Sequence, residues 1–324
     1  MAVSVSAIYF INDIICVPFG LILNTLLVWL ILNRSRKEME VYSKILLQTC
    51  VVDILYIIFT VIVQPIYFVY DDWNLLIPNG PLRIIDHPWN FTLMAANFFV
   101  CYFSITSNCV PFIYRYQVIC KTNIMSLLNY FILLMLCAVA ILVYIGLLTW
   151  STYPHDASQN VNITAIAELI GLSNDLPEFQ IGLMMKAESI PWAITCCYVV
   201  LVELFTYALM IICGWKIRNY VGDIIKTTRY CRRYIEVNRQ LNYILALQTS
   251  LPIVELSLSL ICMIVSIFFK SCFATRAVTF VFISFRWVPL LNPLITILVV
   301  KPYRNFIFRK QNRNIISRTS FTGH

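Results

Sequence analysis

The sequence predicts an all-α fold, a bundle of seven membrane-spanning helices. Of 324 residues, 60% are hydrophobic and only 12% charged, whereas a soluble domain is about half apolar and a quarter charged. Mean hydropathy is +0.78. The apolar residues gather in seven runs, each long enough for a tilted helix of about 20 residues across a bilayer. The basic residues crowd into alternate connections between those runs. Eight glycines are too few for a Gly-rich phosphate-binding protein. With no repeat, linker or low-complexity stretch, the whole of 1–324 reads as one domain.

The first run, 8–32, lacks a basic leader and exceeds the apolar core of a signal peptide, so it reads as a span. The others are 45–70, 91–118, 127–150, 190–213, 241–269 and 273–300. In the tail, 301–324, Tyr303, Phe306 and Ile307 share one face among basic neighbours, which suits a short helix lying on membrane lipid.

Nineteen Lys and Arg fall on one side of these spans and four on the other, with Arg286 inside a span. The basic side is the cytosolic side, so the C-terminus is expected inside and the N-terminus outside. This placement between spans also argues against a nucleic-acid partner for the net charge of +8. The sequons at Asn90 and Asn162 then face outward and are candidate glycosylation sites. Most of the twelve cysteines lie in apolar runs and read as small buried residues. Cys272 is expected in an outer loop.

Polar groups inside spans are costly and face the bundle interior. Asn97, Cys101, Ser104, Asn108 and Arg115 share one face of the third span, with Pro111 on the same stripe. That face serves helix packing or lines a cavity in its outer half. In the sixth span, Gln248, Pro252, Glu255 and Ser259 share a face, and Pro252 should kink the helix into a pivot or a static bend. Four ionisable residues sit deep: Asp53, Glu203, Glu255 and Arg286. Arg286 stays charged and needs an anion, for which Glu255 is the first choice and Glu203 the second. Either that pair is structural or the guanidinium meets a ligand directly. No catalytic set is present: the three histidines are isolated, and HExxH, GxSxG and Walker sequences are absent. No metal or cofactor is expected.

Asn24, Asp53, Arg115 and Asn292-Pro293 match the rhodopsin-like pattern of G-protein-coupled receptors in order and depth. More specifically, Pro111-Phe-Ile-Tyr-Arg-Tyr116, Gln248-Thr-Ser-Leu-Pro252 and the run from Asn292 to Arg304 resemble nematode serpentine chemoreceptors of the Str superfamily, most of all the delta class (Srd). The resemblance implies an olfactory or other chemosensory receptor. It would sit in the plasma membrane, including that of sensory cilia, and bind a small-molecule or peptide cue in the outer half of the bundle. It would signal to a heterotrimeric G protein. Together with the polar stripe and the deep ionisable residues, it points to Asn97, Cys101, Ser104, Glu203, Glu255 and Arg286 as ligand contacts. It implies switch or coupling roles for Asp53, Asn108, Tyr114, Arg115, Pro252, Asn292 and Pro293.

The departures are informative. Tyr114 replaces the usual acid before the arginine, and Thr296 the usual tyrosine after Asn-Pro. The usual disulfide to the second outer loop cannot form, because 151–189 contains no Cys. Asn97 stands at the level where amine receptors carry Asp, which argues against an amine ligand. Arg286 stands where opsins carry their retinal lysine and cannot form that Schiff base. A ligand-gated channel or transporter is the alternative, and it lacks the paired broken helices expected of one.

Overall fold

The computed structural model describes residues 5–34, 40–70, 73–86, 88–121, 125–152, 181–227 and 282–308, with Ile166, Leu247, Ser250, Val254 and Ser257. Pro252, Glu255 and Asn162, and nearly all of the sixth run, lie outside the described residues.

Helix α1 spans Val5–Arg34 and α2 spans Glu40–Val63. Strands β1 (Pro65–Tyr70) and β2 (Trp73–Pro78) follow. The third span is two helices in line, α3 (Trp89–Thr106) and α4 (Cys109–Cys120). The fourth is α5 (Leu127–Ser151). Strand β3 (Leu183–Lys186) leads into the fifth span, α6 (Ile190–Thr227). The seventh span continues from a 3-10 turn at Phe285–Trp287 into α7 (Val288–Val299). Six helical stretches among the described residues are long and apolar enough to cross a membrane.

On α1 the buried residues Tyr9, Asp13, Cys16, Gly20, Asn24 and Leu27 recur every three or four positions, which makes one face. Phe10, Ile14, Phe19 and Ile22 lie exposed on the other, as lipid-facing side chains must. Gly20 allows a close approach: a Cβ there would stand 2.9 Å from the Ile57 side chain of α2. Pro293 has no N–H for the carbonyl of Pro289, and Asn24 supplies the missing donor. Its Nδ2 donates to Pro289 O at 2.8 Å and to Gly20 O at 2.9 Å. One amide thus satisfies a proline-freed carbonyl and joins α1 to α7.

Four expectations are corrected. The second helix stops at Val63 rather than at position 70, because Pro65 cannot continue it. Gln64 takes a left-handed turn, φ 44°, and its N–H donates to Thr60 O at 2.8 Å. The N–H groups of Asn79 and Gly80 return to Val63 O at 3.2 and 3.1 Å. Helix end and hairpin therefore satisfy each other's backbone.

Second, the chain is not all-α. Strands β1, β2 and β3 form an antiparallel sheet in that order, with Tyr67 opposite Leu76 and Leu75 opposite Met184. The sheet closes the end of the bundle where α1, α3 and α6 begin. One face carries Ile66, Leu75 and Ile77 against Tyr9 and Ile166. The other carries Tyr67, Leu76, Leu183 and Met185 against α3, α5 and α6.

Third, the third span breaks at Ser107 and Asn108. Pro111 offers no N–H to Ser107 O, and Val110 N donates to that oxygen instead at 3.1 Å, one residue tighter. Fourth, the fifth helix runs past 213 to Thr227, its added turns exposing Lys216 and Arg218. Residues 301–308 are helical, and their apolar face docks on protein. Tyr303 packs with Leu27, Leu30 and Leu46, and Phe306 lies 5.5 Å from Trp29 and 4.3 Å beneath the Arg34 guanidinium.

Candidate functional site

Midway along the bundle, α2, α3 and α7 meet at Asp53. Asn292 Nδ2 donates to both carboxylate oxygens, at 3.4 and 3.1 Å, and Ser104 Oγ lies 3.5 Å from Oδ1. Thr296 hydroxyl donates to Asn292 O at 2.9 Å, so the residue standing for the usual tyrosine continues this network. Ser104, expected among the ligand contacts, belongs to this core.

The anion beside Arg286 is Asp13 of α1; Glu255 and Glu203 were the sequence-based choices. The same guanidinium donates to Pro65 O at 2.6 Å and lies 4.7 Å over the Tyr9 ring. It therefore joins α1, the start of β1 and the seventh span. Two consecutive residues of that span, Arg286 and Trp287, reach back to α1, since Trp287 Nε1 donates to Asn12 Oδ1 at 2.9 Å. Asp13 was missed. It is an ionisable residue within an apolar run and carries the same signal as Asp53, Glu203, Glu255 and Arg286.

Two cavities lie under the sheet. The larger, about 280 Å³, is roofed by Tyr67, Leu76 and Met185 and walled by Phe98, Tyr102, Tyr144, Trp192 and Phe282, with Glu203 in its wall. Tyr102 and Tyr144 meet at 4.7 Å between ring centroids, and Tyr67 stacks on Phe282 at 4.2 Å. The smaller, about 40 Å³, is lined by Asn97, Cys101 and Arg286. The expected ligand set is thus divided. Asn97, Cys101 and Arg286 surround one cavity, Glu203 faces the other, and the rings of Tyr67, Phe98, Tyr102 and Phe282 border both. Those aromatic residues were not singled out in the sequence, because a ring in a span is ordinarily packing.

At the opposite end Arg115 is 1% exposed on α4. Tyr114, in the acid's usual place, packs edge-on against Tyr130 at 5.6 Å. The Tyr130 hydroxyl bonds Gln48, so this contact joins α2, α4 and α5. Asn108 precedes α4 at the break in the third span, and Pro293 is buried within α7. Asn90 is 4% exposed in the first turn of α3, its side-chain oxygen accepting from Phe91 N at 2.6 Å. Among the described residues no group of His, Cys, Asp and Glu could hold a metal ion.

The sequence pattern of the family described as "Serpentine type 7TM GPCR chemoreceptor Str" matches residues 10–308. The chain is 25% identical over 323 residues to the Serpentine receptor class r-10 of Caenorhabditis elegans, covering 91% of this chain and 88% of that one. Squid rhodopsin has a similar fold, with TM-score 0.57 and 12% identity over 96% of this chain and 87% of its own. At that identity the likeness speaks to the fold alone, a seven-helix bundle. The family match spans nearly the whole chain, so the chain belongs to the Str family of serpentine chemoreceptors: a multi-pass chemosensory G-protein-coupled receptor, and not an enzyme.

Proposed function

We propose that this receptor takes a small molecule into the aromatic cavity beneath the sheet and passes the event along the bundle to a heterotrimeric G protein at the Arg115 end. The observation that carries this reading is the cavity of about 280 Å³, lined by rings and by the sheet, at the end remote from Arg115. Its size favours a small molecule over a peptide, and its mostly apolar lining with a few polar groups is that of a ligand site. Asn97, Cys101 and Arg286 form the neighbouring subsite. Asp53, Asn292, Pro293 and Asn108 lie between the cavities and the coupling end. A ligand acts here by binding two arrangements of the helices unequally. Pro252 and Glu255 are the moving parts that the sequence offers from the sixth span.

The whole chain acts as one domain, with its N-terminus outside the cell, its C-terminus in the cytosol and a glycan on Asn162. Asn90 is the weaker glycan site because its side chain is buried. The motifs from Asn292 to Arg304 favour the delta class, and an olfactory role in the plasma membrane of sensory cilia suits such a receptor.

The test is expression in a heterologous cell with a second-messenger readout, screened against volatile and water-soluble cues. Arg115→Ala should abolish the response while leaving surface expression largely intact. A full response in that variant would refute Arg115 as the coupling residue.

A further inference from the structure

With the larger cavity taken as the cue site proposed above, we infer that its ligand is a small organic cation, an ammonium held by Glu203 within a cage of aromatic rings. Glu203 lies on α6 and is 6% exposed. Among the described residues neither of its carboxylate oxygens has a hydrogen-bond partner in good geometry, and Thr106 is its polar neighbour. The buried guanidinium of Arg286 is committed to Asp13, Pro65 O and the Tyr9 ring, and it borders the other cavity. Glu203 is the one acidic or basic side chain among the described residues lining the larger cavity.

An ionised carboxylate buried with no cation beside it is costly, and an incoming ammonium offsets that cost. The surroundings suit a cation too. The faces of Tyr, Trp and Phe rings attract ammonium groups, most strongly where water is excluded, and Tyr102, Tyr144 and Trp192 line the cavity with Glu203. An anionic cue would meet Glu203 with like charge. A purely apolar cue would leave the carboxylate unsatisfied. The presence of Asn97 on the third span argues only against an ammonium held at that position; here the acid comes from the fifth span.

The test uses the full-length receptor in lipid nanodiscs and the probes phenethylamine and phenethyl alcohol, which share shape and differ in charge. Thermal unfolding is followed against probe concentration in wild type, Glu203→Gln and Val200→Trp, the last placing bulk on the cavity wall. The amine should raise the melting temperature of wild type more than the alcohol does. Glu203→Gln should shift the amine's half-maximal concentration upward by about 30-fold or more, as for a lost buried charge partner. Val200→Trp should abolish the shift. Equal effects of amine and alcohol would overturn the cationic assignment, and loss of both in Val200→Trp would still uphold the cavity as a binding site. Shifts that survive Val200→Trp would overturn the cavity reading as well. No shift from either probe overturns the inference, and the cavity reading then stands or falls on whether Val200→Trp blocks a cue found by second-messenger screening. If Glu203→Gln does not fold, the comparison of the two probes on wild type decides.

Discussion

Arg286 brings a permanent charge into the bundle, and three groups compensate it together: the Asp13 carboxylate, the Pro65 carbonyl and the face of Tyr9. Such a pair is strongly asymmetric under mutation. Removing one partner strands the other and costs about 3–5 kcal/mol, whereas replacing both by neutral groups is often close to neutral. Arg286→Met and Asp13→Asn should therefore each lower the melting temperature and surface expression, with the double variant recovering most of the loss. Strictly additive losses in that cycle would show that the two residues do not interact. The need for an anion was legible from Arg286 alone; its identity was not. Depth along the chain nominated Glu255 and Glu203, but which face of the bundle an acid occupies depends on helix rotation, and that is set by packing. Asp13 lies on the α1 face with Tyr9, Cys16 and Gly20, a stripe hidden in the sequence because its other side is equally apolar and faces lipid.

At the scale of elements, the sheet departs most from the reading of the sequence. Ile66-Tyr-Phe-Val-Tyr70 is continuously apolar because both faces of the strand are covered, and such a run cannot be told from helix by periodicity. The neighbouring Gln64-Pro65 did carry the stop signal. Ser107-Asn108 shows the opposite case: Pro111 is plain in the sequence, but the break one turn earlier depends on Val110 N taking over Ser107 O. The hairpin closes onto α2 through Gly80. A Cβ at that position would stand 2.2 Å from Ile62 O and 2.9 Å from Ile62 C, and these are backbone atoms that cannot swing aside. Gly80→Ala should therefore lift the return loop off the helix end and weaken the hydrogen bonds from Asn79 and Gly80 to Val63 O. Overpacking of this kind costs about 1–3 kcal/mol. A thermal shift assay on the purified receptor should show the drop, whereas Gly146→Ala, with nothing within 4 Å of its Cβ, should not. Equal melting temperatures for the two variants would mean that the loop does not bear on α2 as described.

For the whole molecule, span number was legible because membrane thickness fixes helix length, and that constraint acts on composition rather than on packing. Orientation follows from a different force, the retention of Lys and Arg on the cytosolic side, which acts on short connections near span ends. Nineteen basic residues against four is a large asymmetry, and it motivates the expected orientation. The sheet and both cavities lie at the end of the poorly basic connections. Arg115, the exposed Lys216 and Arg218, and the helix 301–308 lie at the other end. The expected orientation puts the cavity toward the outside and Arg115 toward the cytosol, the only arrangement in which an external cue and an internal G protein each meet their own end. An epitope on the N-terminus should therefore bind antibody in intact cells, and one on the C-terminus only after permeabilisation. Glycosidase should increase gel mobility, and Asn162→Gln should abolish that change. Asn33→Gln should leave it intact, because the sequon Asn33-Arg-Ser35 begins in the last turn of α1 at the basic end. If Asn33→Gln removed the shift, or the epitopes showed the reverse pattern, the bundle would be inverted. The cavity would then open to the cytosol, and cue and G protein would compete for the same side of the membrane.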